Sequence, residues 1–272
     1  AGGSDSQNES LIVEFFDPDT GTWSETDPMT FTRLRHTATL LPNGKVLVAG
    51  GSSNGINGLG SSSAELFDPA TKMWSTTDDM IFEHVAHTAT LLPNGKVLLA
   101  GGFGNESLIV PTAEIYDAAF TIWSKTASDM TSARDSHTAT LLQDTRVLVT
   151  GGAKGNLPLL YDMKTGLWSK ITKNMTAARL SETATLLPDG KVLIAGGLSD
   201  VNALSSAELF DPVTGMWSTT ASDMTSPRFL HRATLLPDGK VLVAGGYDGS
   251  DTLSSAELFD PATGMWSPTG SM

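Results

Sequence analysis

Arginine and histidine recur in this chain in a fixed pattern. Arg33 precedes His36, Arg134 precedes His137 and Arg228 precedes His231, each by three positions. Two copies break the pattern: His84 stands in the arginine position ahead of His87, and Glu182 stands in the histidine position after Arg179. Glu14, Glu65, Glu114, Glu208 and Glu257 form a second equivalent set. Repeated imidazoles could form a ring of metal ligands. Alternatively, Arg–Glu and His–Glu contacts could satisfy charges beside a packed sheet. Glu182 fits neither a uniform histidine ring nor a zinc spacing, so the structural reading is favoured for the repeated positions and no metal is expected.

Other chemistry leaves little trace. The chain has no cysteine, so disulfides, thiolate metal sites and cysteine nucleophiles are excluded. Its glycines come in pairs, without the phosphate-cradling GxxxxGK[ST] or a nucleophile elbow G-x-S-x-G. Carboxylates are plentiful, and a glycosidase needs only two at the right separation, so an enzyme stays open.

The elements that would position these residues are legible. HTATLLPNGKVLVAGG at 36–51 returns with small changes at 87–102, 137–152, 182–197 and 231–246. Six tryptophans, Trp23, Trp74, Trp123, Trp168, Trp217 and Trp266, follow at intervals of 45–51 residues. Such a period marks an array of one supersecondary unit. TATLL and KVLVA are short β-prone runs joined by Asn-Gly or Asp-Gly, a tight-hairpin signal. Asp144-Thr145 replaces that signal in the third copy, so its hairpin is expected to differ. AELFD gives a third strand, and MWST gives a fourth beyond an Asp-Pro-x-Thr-Gly turn.

Each unit therefore predicts a four-stranded antiparallel sheet. KVLVA is apolar on both faces, so each sheet must be covered on both sides. Radial stacking of such sheets achieves this.

A di-glycine after the second strand, an aromatic-Asp pair, and a tryptophan after a turn together resemble the kelch repeat. The copies are most similar to kelch repeats of bacterial proteins and of the galactose oxidase propeller. The resemblance covers the whole chain. It implies an all-β, six-bladed kelch-type β-propeller of four-stranded antiparallel blades, with the inner two strands of the first blade absent. The expected layout is a single domain over 1–272: a half blade at 1–29 and full blades at 30–80, 81–130, 131–175, 176–224 and 225–272. About nineteen residues separate each closing methionine from the next Ala-Gly-Gly or Thr-Gly-Gly. Met272 and Ala1 would be joined by the same length, so a longer parent chain is expected.

Positions that depart from the repeat are better functional candidates than those that obey it. The lead-in segments of the inner strands offer Arg35, His84, Asp135, Glu182 and Phe229, beside the repeated Arg33, Arg134, Arg179 and Arg228. The loops after the di-glycines vary most and should join one face, where binding usually lives. They offer Phe103, Tyr247 and Asp248, with Asp251, Asn54 and Asn57, and Lys154 marks the shortest loop.

The favoured role is a non-catalytic binding or scaffold module. Its loops and channel mouth would hold a protein or a glycan. The family alternative is a sugar-active enzyme of mutarotase or epimerase type, or the propeller of an oxidase. No copper ligand of the oxidase carries over, because Tyr116 and Tyr161 occupy the repeated aromatic-Asp position and read as core. No cofactor is expected. A net charge of −13 argues against nucleic acid. No apolar run is long enough for a transmembrane helix. A monomeric ring or a module of a larger protein is expected, at an extracellular or cell-surface location.

Overall fold

The structure is a computed structural model, and it describes residues 2–3, 11–53, 60–152, 157–200 and 202–272. Asn54, Asn57 and Lys154 lie outside the described residues. The chain divides into two compact units, residues 1–135 and 136–272.

In the first unit, β1 (Glu14–Asp17) and β2 (Thr22–Glu25) form a two-stranded sheet. A four-stranded sheet follows, with β3 (Thr37–Leu40), β4 (Val46–Ala49), β5 (Ala64–Asp68) and β6 (Met73–Thr76) in chain order. The next sheet holds β7 (Thr88–Leu91), β8 (Lys96–Ala100), β9 (Ala113–Asp117) and β10 (Ile122–Lys125).

The second unit has three four-stranded sheets. The first contains β11 (His137–Leu141), β12 (Arg146–Gly151), β13 (Leu159–Asp162) and β14 (Leu167–Lys170). The second is built from β15 (Thr183–Leu186) and β16 (Val192–Ala195), a side hairpin of β17 (Leu198–Ser199) and β18 (Asn202–Ala203), and then β19 (Ala207–Asp211) and β20 (Met216–Thr219). The third holds β21 (Arg232–Leu235), β22 (Val241–Ala244), β23 (Ala256–Asp260) and β24 (Met265–Pro268). Every pairing is antiparallel, as the tight turns demand.

Burial follows the two-faced apolar pattern. In the second strands, Leu47, Val97, Leu148, Val192 and Val241 are all at most 1% exposed. The core lies between successive sheets of a unit. Leu41, Leu47 and Leu66 of one sheet meet Val97, Tyr116 and Trp123 of the next. Leu187, Leu193 and Met224 meet Val241, Phe259 and Trp266 in the same way.

The third-copy hairpin departs from expectation. Thr145 takes the left-handed conformation that glycine takes elsewhere (φ 73° against 81° at Gly44), and its N–H donates to the Leu142 carbonyl as Gly44 donates to Leu41. The turn is therefore kept without its glycine. Asp144 holds it by accepting the Arg146 amide and ion-pairing with that guanidinium. The carboxylate offsets the modest cost of a non-glycine residue in this region.

Candidate binding face

Repeated arginines fix the loop-bearing ends of three sheets. Arg33 is fully buried. Its Nη1 donates to the carbonyls of Gly50 and Ser63, both at 2.8 Å. Its Nη2 donates to Ser63 Oγ at 2.8 Å and to Glu65 Oε1 at 3.1 Å. Arg179 repeats the set on Gly196, Ser206 and Glu208, and Arg228 repeats it on Gly245, Ser255 and Glu257. The second carboxylate oxygen receives the amide following the closing methionine of the preceding unit: Thr30 on Glu65, Thr176 on Glu208, Thr225 on Glu257. One buried ion pair thus ties the lead-in segment, the di-glycine and the third strand together. Removing one partner would strand a charge in the interior.

His84 fills the arginine's post. It is fully buried, with Nδ1 2.8 Å from the Gly101 carbonyl and Nε2 3.2 Å from Glu114 Oε1. It looked like a departure from the repeat, yet its two nitrogens reach the same kinds of partner as the guanidinium. Arg134 is 3% exposed and donates to Ser132 Oγ at 2.7 Å.

The histidine position staples one sheet to the sheet before it. His87 Nε2 lies 2.8 Å from Thr37 Oγ1, and His231 Nε2 lies 2.8 Å from Thr183 Oγ1. Glu182 occupies the equivalent place and accepts from Thr138 Oγ1 at 3.4 Å. It too, then, does the repeated job. Burial, helped by the nearby Arg228 charge, pushes the His231 imidazole down to about 4. Burial also lowers the pKa of His36.

The paired glycines make these contacts possible. A Cβ on Gly196 (φ +60°) would lie 2.4 Å from the Arg228 carbonyl and 2.9 Å from His231 Cε1. The next amide, that of Gly197, donates to the same Arg228 carbonyl at 2.9 Å. No side chain fits between strands that approach this closely.

Beyond the clamp, four of the five lead-in segments pair, among the described residues, with the residue after their di-glycine. The antiparallel bridges are Leu34–Ser52, Val85–Phe103, Leu180–Leu198 and Phe229–Tyr247. They bring Phe229 and Tyr247 together, with rings 5.5 Å apart and nearly perpendicular. The Tyr247 hydroxyl donates to the Ser250 carbonyl at 3.0 Å. Asp248 Oδ1 accepts the amides of Asp251 and Ser250, and these bonds lower its pKa. Phe103, Phe229, Tyr247 and Asp248 are all partly exposed, and Asp135 is too. Arg35 is exposed, and its carbonyl accepts the Ala86 amide.

Sequence reasoning passed over Leu230. It is 63% exposed and directly follows Phe229. It adopts φ 55°, as Arg35, Ala86, Ser136 and Ser181 do at the same repeat position. The available signal was the variation of residue type at that position, where no glycine marks the left-handed backbone.

The comparisons with known proteins agree with the repeat reading. A family model described as the KLHDC2/KLHL20/DRC7 Kelch-repeats domain matches residues 86–271, and one described as the Kelch motif matches residues 33–80. No curated protein matches the chain. Among solved structures, the chain is similar to a "novel fungal alcohol oxidase with catalytic diversity among the AA5 family, in complex with copper", at 20% identity and a TM-score of 0.79. The match covers 96% of this chain and 58% of the oxidase.

No three His, Asp or Glu side chains converge on a metal position among the described residues. Tyr116 and Tyr161 are core residues at 0% and 3% exposure. Sheet topology, the di-glycine and tryptophan positions, and a family model spanning most of the length converge: the chain belongs to the kelch-repeat family and has the kelch-type β-propeller fold.

Proposed function

We propose that the chain is a non-catalytic binding module that holds a peptide segment of a protein partner at the di-glycine end of its sheets. The Phe229–Tyr247 ring pair carries this reading. It is partly exposed, braced on both sides by backbone bonds, and flanked by exposed Leu230 and by an Asp248 carboxylate already fixed by two amides. Rigid aromatic anchors with a preset polar neighbour lose little freedom on binding. Arg35 and Phe103 extend the same kind of surface in the first unit. Arg228 serves this face as internal framework, as Arg33, Arg179 and His84 serve the equivalent ends of their own sheets. A kelch propeller used for protein binding matches the family assignment.

The test is selection of binders from a random-peptide library against the chain, in parallel with a glycan array. Peptides should be recovered, and Phe229→Ala and Tyr247→Ala should each weaken them about tenfold or more, the range of an aromatic hot spot. The melting temperature should stay within about 2 °C. Glycan binding without peptide binding would replace the partner class. Peptide binding that ignores both substitutions would move the site elsewhere.

A further inference from the structure

Two sets of methionines stand at two different repeat positions. Met29, Met80, Met130, Met175 and Met224 occupy the closing position and are 2–4% exposed. Met80 lies in the cluster with Leu41, Leu47, Val97 and Trp123, and Met224 in the cluster with Leu193, Val241 and Trp266. The second set opens the fourth strand. Met73, Met216 and Met265 begin β6, β20 and β24 and are 58%, 50% and 48% exposed.

The fourth-strand position is apolar in all five four-stranded sheets and about half exposed in each, since Ile122 and Leu167 hold it at 47% and 49%. It lies on the last strand of its sheet, where the methionine faces an aspartate: Met73 faces Asp68, Met216 faces Asp211 and Met265 faces Asp260. Those aspartates hold the preceding turn by accepting the amides of Ala70, Val213 and Ala262. Such bonds run between carboxylate and backbone and do not involve the thioether. Ile122 and Leu167 show that the position needs aliphatic bulk and not sulfur. Three copies nevertheless carry the one aliphatic side chain whose sulfur lone pair a peroxide can oxidise.

We propose that Met73, Met216 and Met265 are reversible oxidation sites for hydroperoxides, and that burial keeps the closing methionines from the same reaction. The sulfur lone pair attacks the terminal peroxide oxygen, a sulfur–oxygen bond forms and the O–O bond breaks. The proton of the transferred oxygen passes to the departing alkoxide, which leaves as alcohol, or as water from hydrogen peroxide. The thioether loses two electrons and becomes a sulfoxide, and the peroxide gains them. At the exposed position the new oxygen meets water and carries no desolvation cost. On Met80 or Met224 the same oxygen would sit unpartnered in an apolar cluster and weaken it. The three sites stand at the turn end of their sheets, opposite the di-glycines, so the inference does not depend on the peptide-binding reading.

The experiment treats the full chain with hydrogen peroxide under native conditions, stops the reaction with catalase, and locates sulfoxides by peptide mass spectrometry. A parallel sample is treated in denaturant. In the native chain, Met73, Met216 and Met265 should oxidise at least about tenfold faster than Met29, Met80, Met130, Met175 and Met224, which react only through local opening. In denaturant the rates of the two sets should converge. The melting temperature should stay within about 1 °C while the three exposed sulfoxides form. Reductases for the two sulfoxide epimers should restore all three thioethers without unfolding the chain. Equal native rates for the two sets would overturn the proposal, as would a rate gap that persists in denaturant. A melting temperature that falls as the three sulfoxides form would overturn it too, and so would sulfoxides that are restored only after unfolding.

Discussion

The first sheet and the last share a motif and differ in surroundings. Phe16 and Trp23 stack at 5.1 Å with planes 46° apart, and Phe259 and Trp266 stack at 5.1 Å and 44°. The local hairpin is therefore the same object in both places. Yet Trp23 is 65% exposed and Trp266 7%, and Phe16 is 44% exposed and Phe259 0%. The turn and the cross-strand aromatic pair are set by neighbours in sequence. Burial is set by a second strand and an adjoining sheet, which are distant in sequence. In a repeat array the hairpin is a local product, while most of its stability comes from contacts with neighbouring units.

The sharpest way to break this comparison is to remove the same carboxylate from both sheets. Glu257→Ala would leave Arg228 buried without its counter-charge and should cost about 3–5 kcal/mol. Glu14→Ala removes an exposed carboxylate and should change stability by no more than about 0.5 kcal/mol. Denaturant unfolding of both variants measures the contrast. Equal losses would mean that Glu14 already has a buried partner.

Truncating the tryptophans gives the apolar version. Trp266→Ala removes a side chain from the cluster with Leu187, Leu193 and Met224 and should cost about 3–5 kcal/mol. Trp23→Ala should cost under about 1 kcal/mol, because most of that ring already faces solvent. A large loss at Trp23 would show that this ring is covered in solution.

The fold was legible because the repeat states each rule several times. Five copies of one hairpin and six tryptophans left little choice of period. The internal clamp was harder to see. Arg33, Arg179 and Arg228 could be aligned by position, but their partners, Ser63, Ser206 and Ser255, lie 27 or 30 residues on, and half of those bonds are to backbone carbonyls. A sequence shows residue types, not which carbonyl a guanidinium meets. For the same reason His84 and Glu182 looked like departures when each performs the repeated task with a different group. Thr145 misled in the opposite direction: the missing glycine was plain, whereas the Asp144 carboxylate that sustains the turn works through geometry. Leu230 was harder to see, because its signal lies in comparing residue types across the copies and not in the leucine itself.

Acid offers a smaller, graded contrast. The last sheet is stapled by His231, whose folded value of about 4 lies below its ordinary 6.5 because burial and Arg228 disfavour the charged ring. Protons therefore prefer the unfolded chain. The staple's contribution is complete above pH 6.5 and is lost as pH falls toward 4. At about 1.4 kcal/mol per unit the loss approaches ~3 kcal/mol. The surface aspartates Asp68, Asp117 and Asp211 are held below 3.8, so their losses come at lower pH. Melting curves from pH 7 to 4 should fall for the native chain and flatten for His231→Gln. A native curve flat over that range would mean that His231 stays accessible to protons in the folded state.

The smallest predicted effect raises stability. Tyr116 is fully buried against Trp123, 4.8 Å between ring centroids, and its hydroxyl has no hydrogen-bond partner among the described residues. Burial pushes that hydroxyl up to about 12. Phe16, Phe67, Phe210 and Phe259 hold the same repeat position without the oxygen. A buried donor left unmade carries its desolvation cost with no return. Tyr116→Phe should therefore gain about 1 kcal/mol, or roughly 2–4 °C in melting temperature. The reverse exchange at the open sheet, Phe16→Tyr, adds a hydroxyl that water can reach, and it should change stability by no more than about 0.5 kcal/mol. If Tyr116→Phe lowered the melting temperature, a buried water would have to be bonding the hydroxyl. The tyrosine would then be a satisfied part of that interface. A gain at position 116 with neutrality at position 16 would show that the cost of a polar atom at one repeat position depends on the covering sheet, not on the strand that carries it.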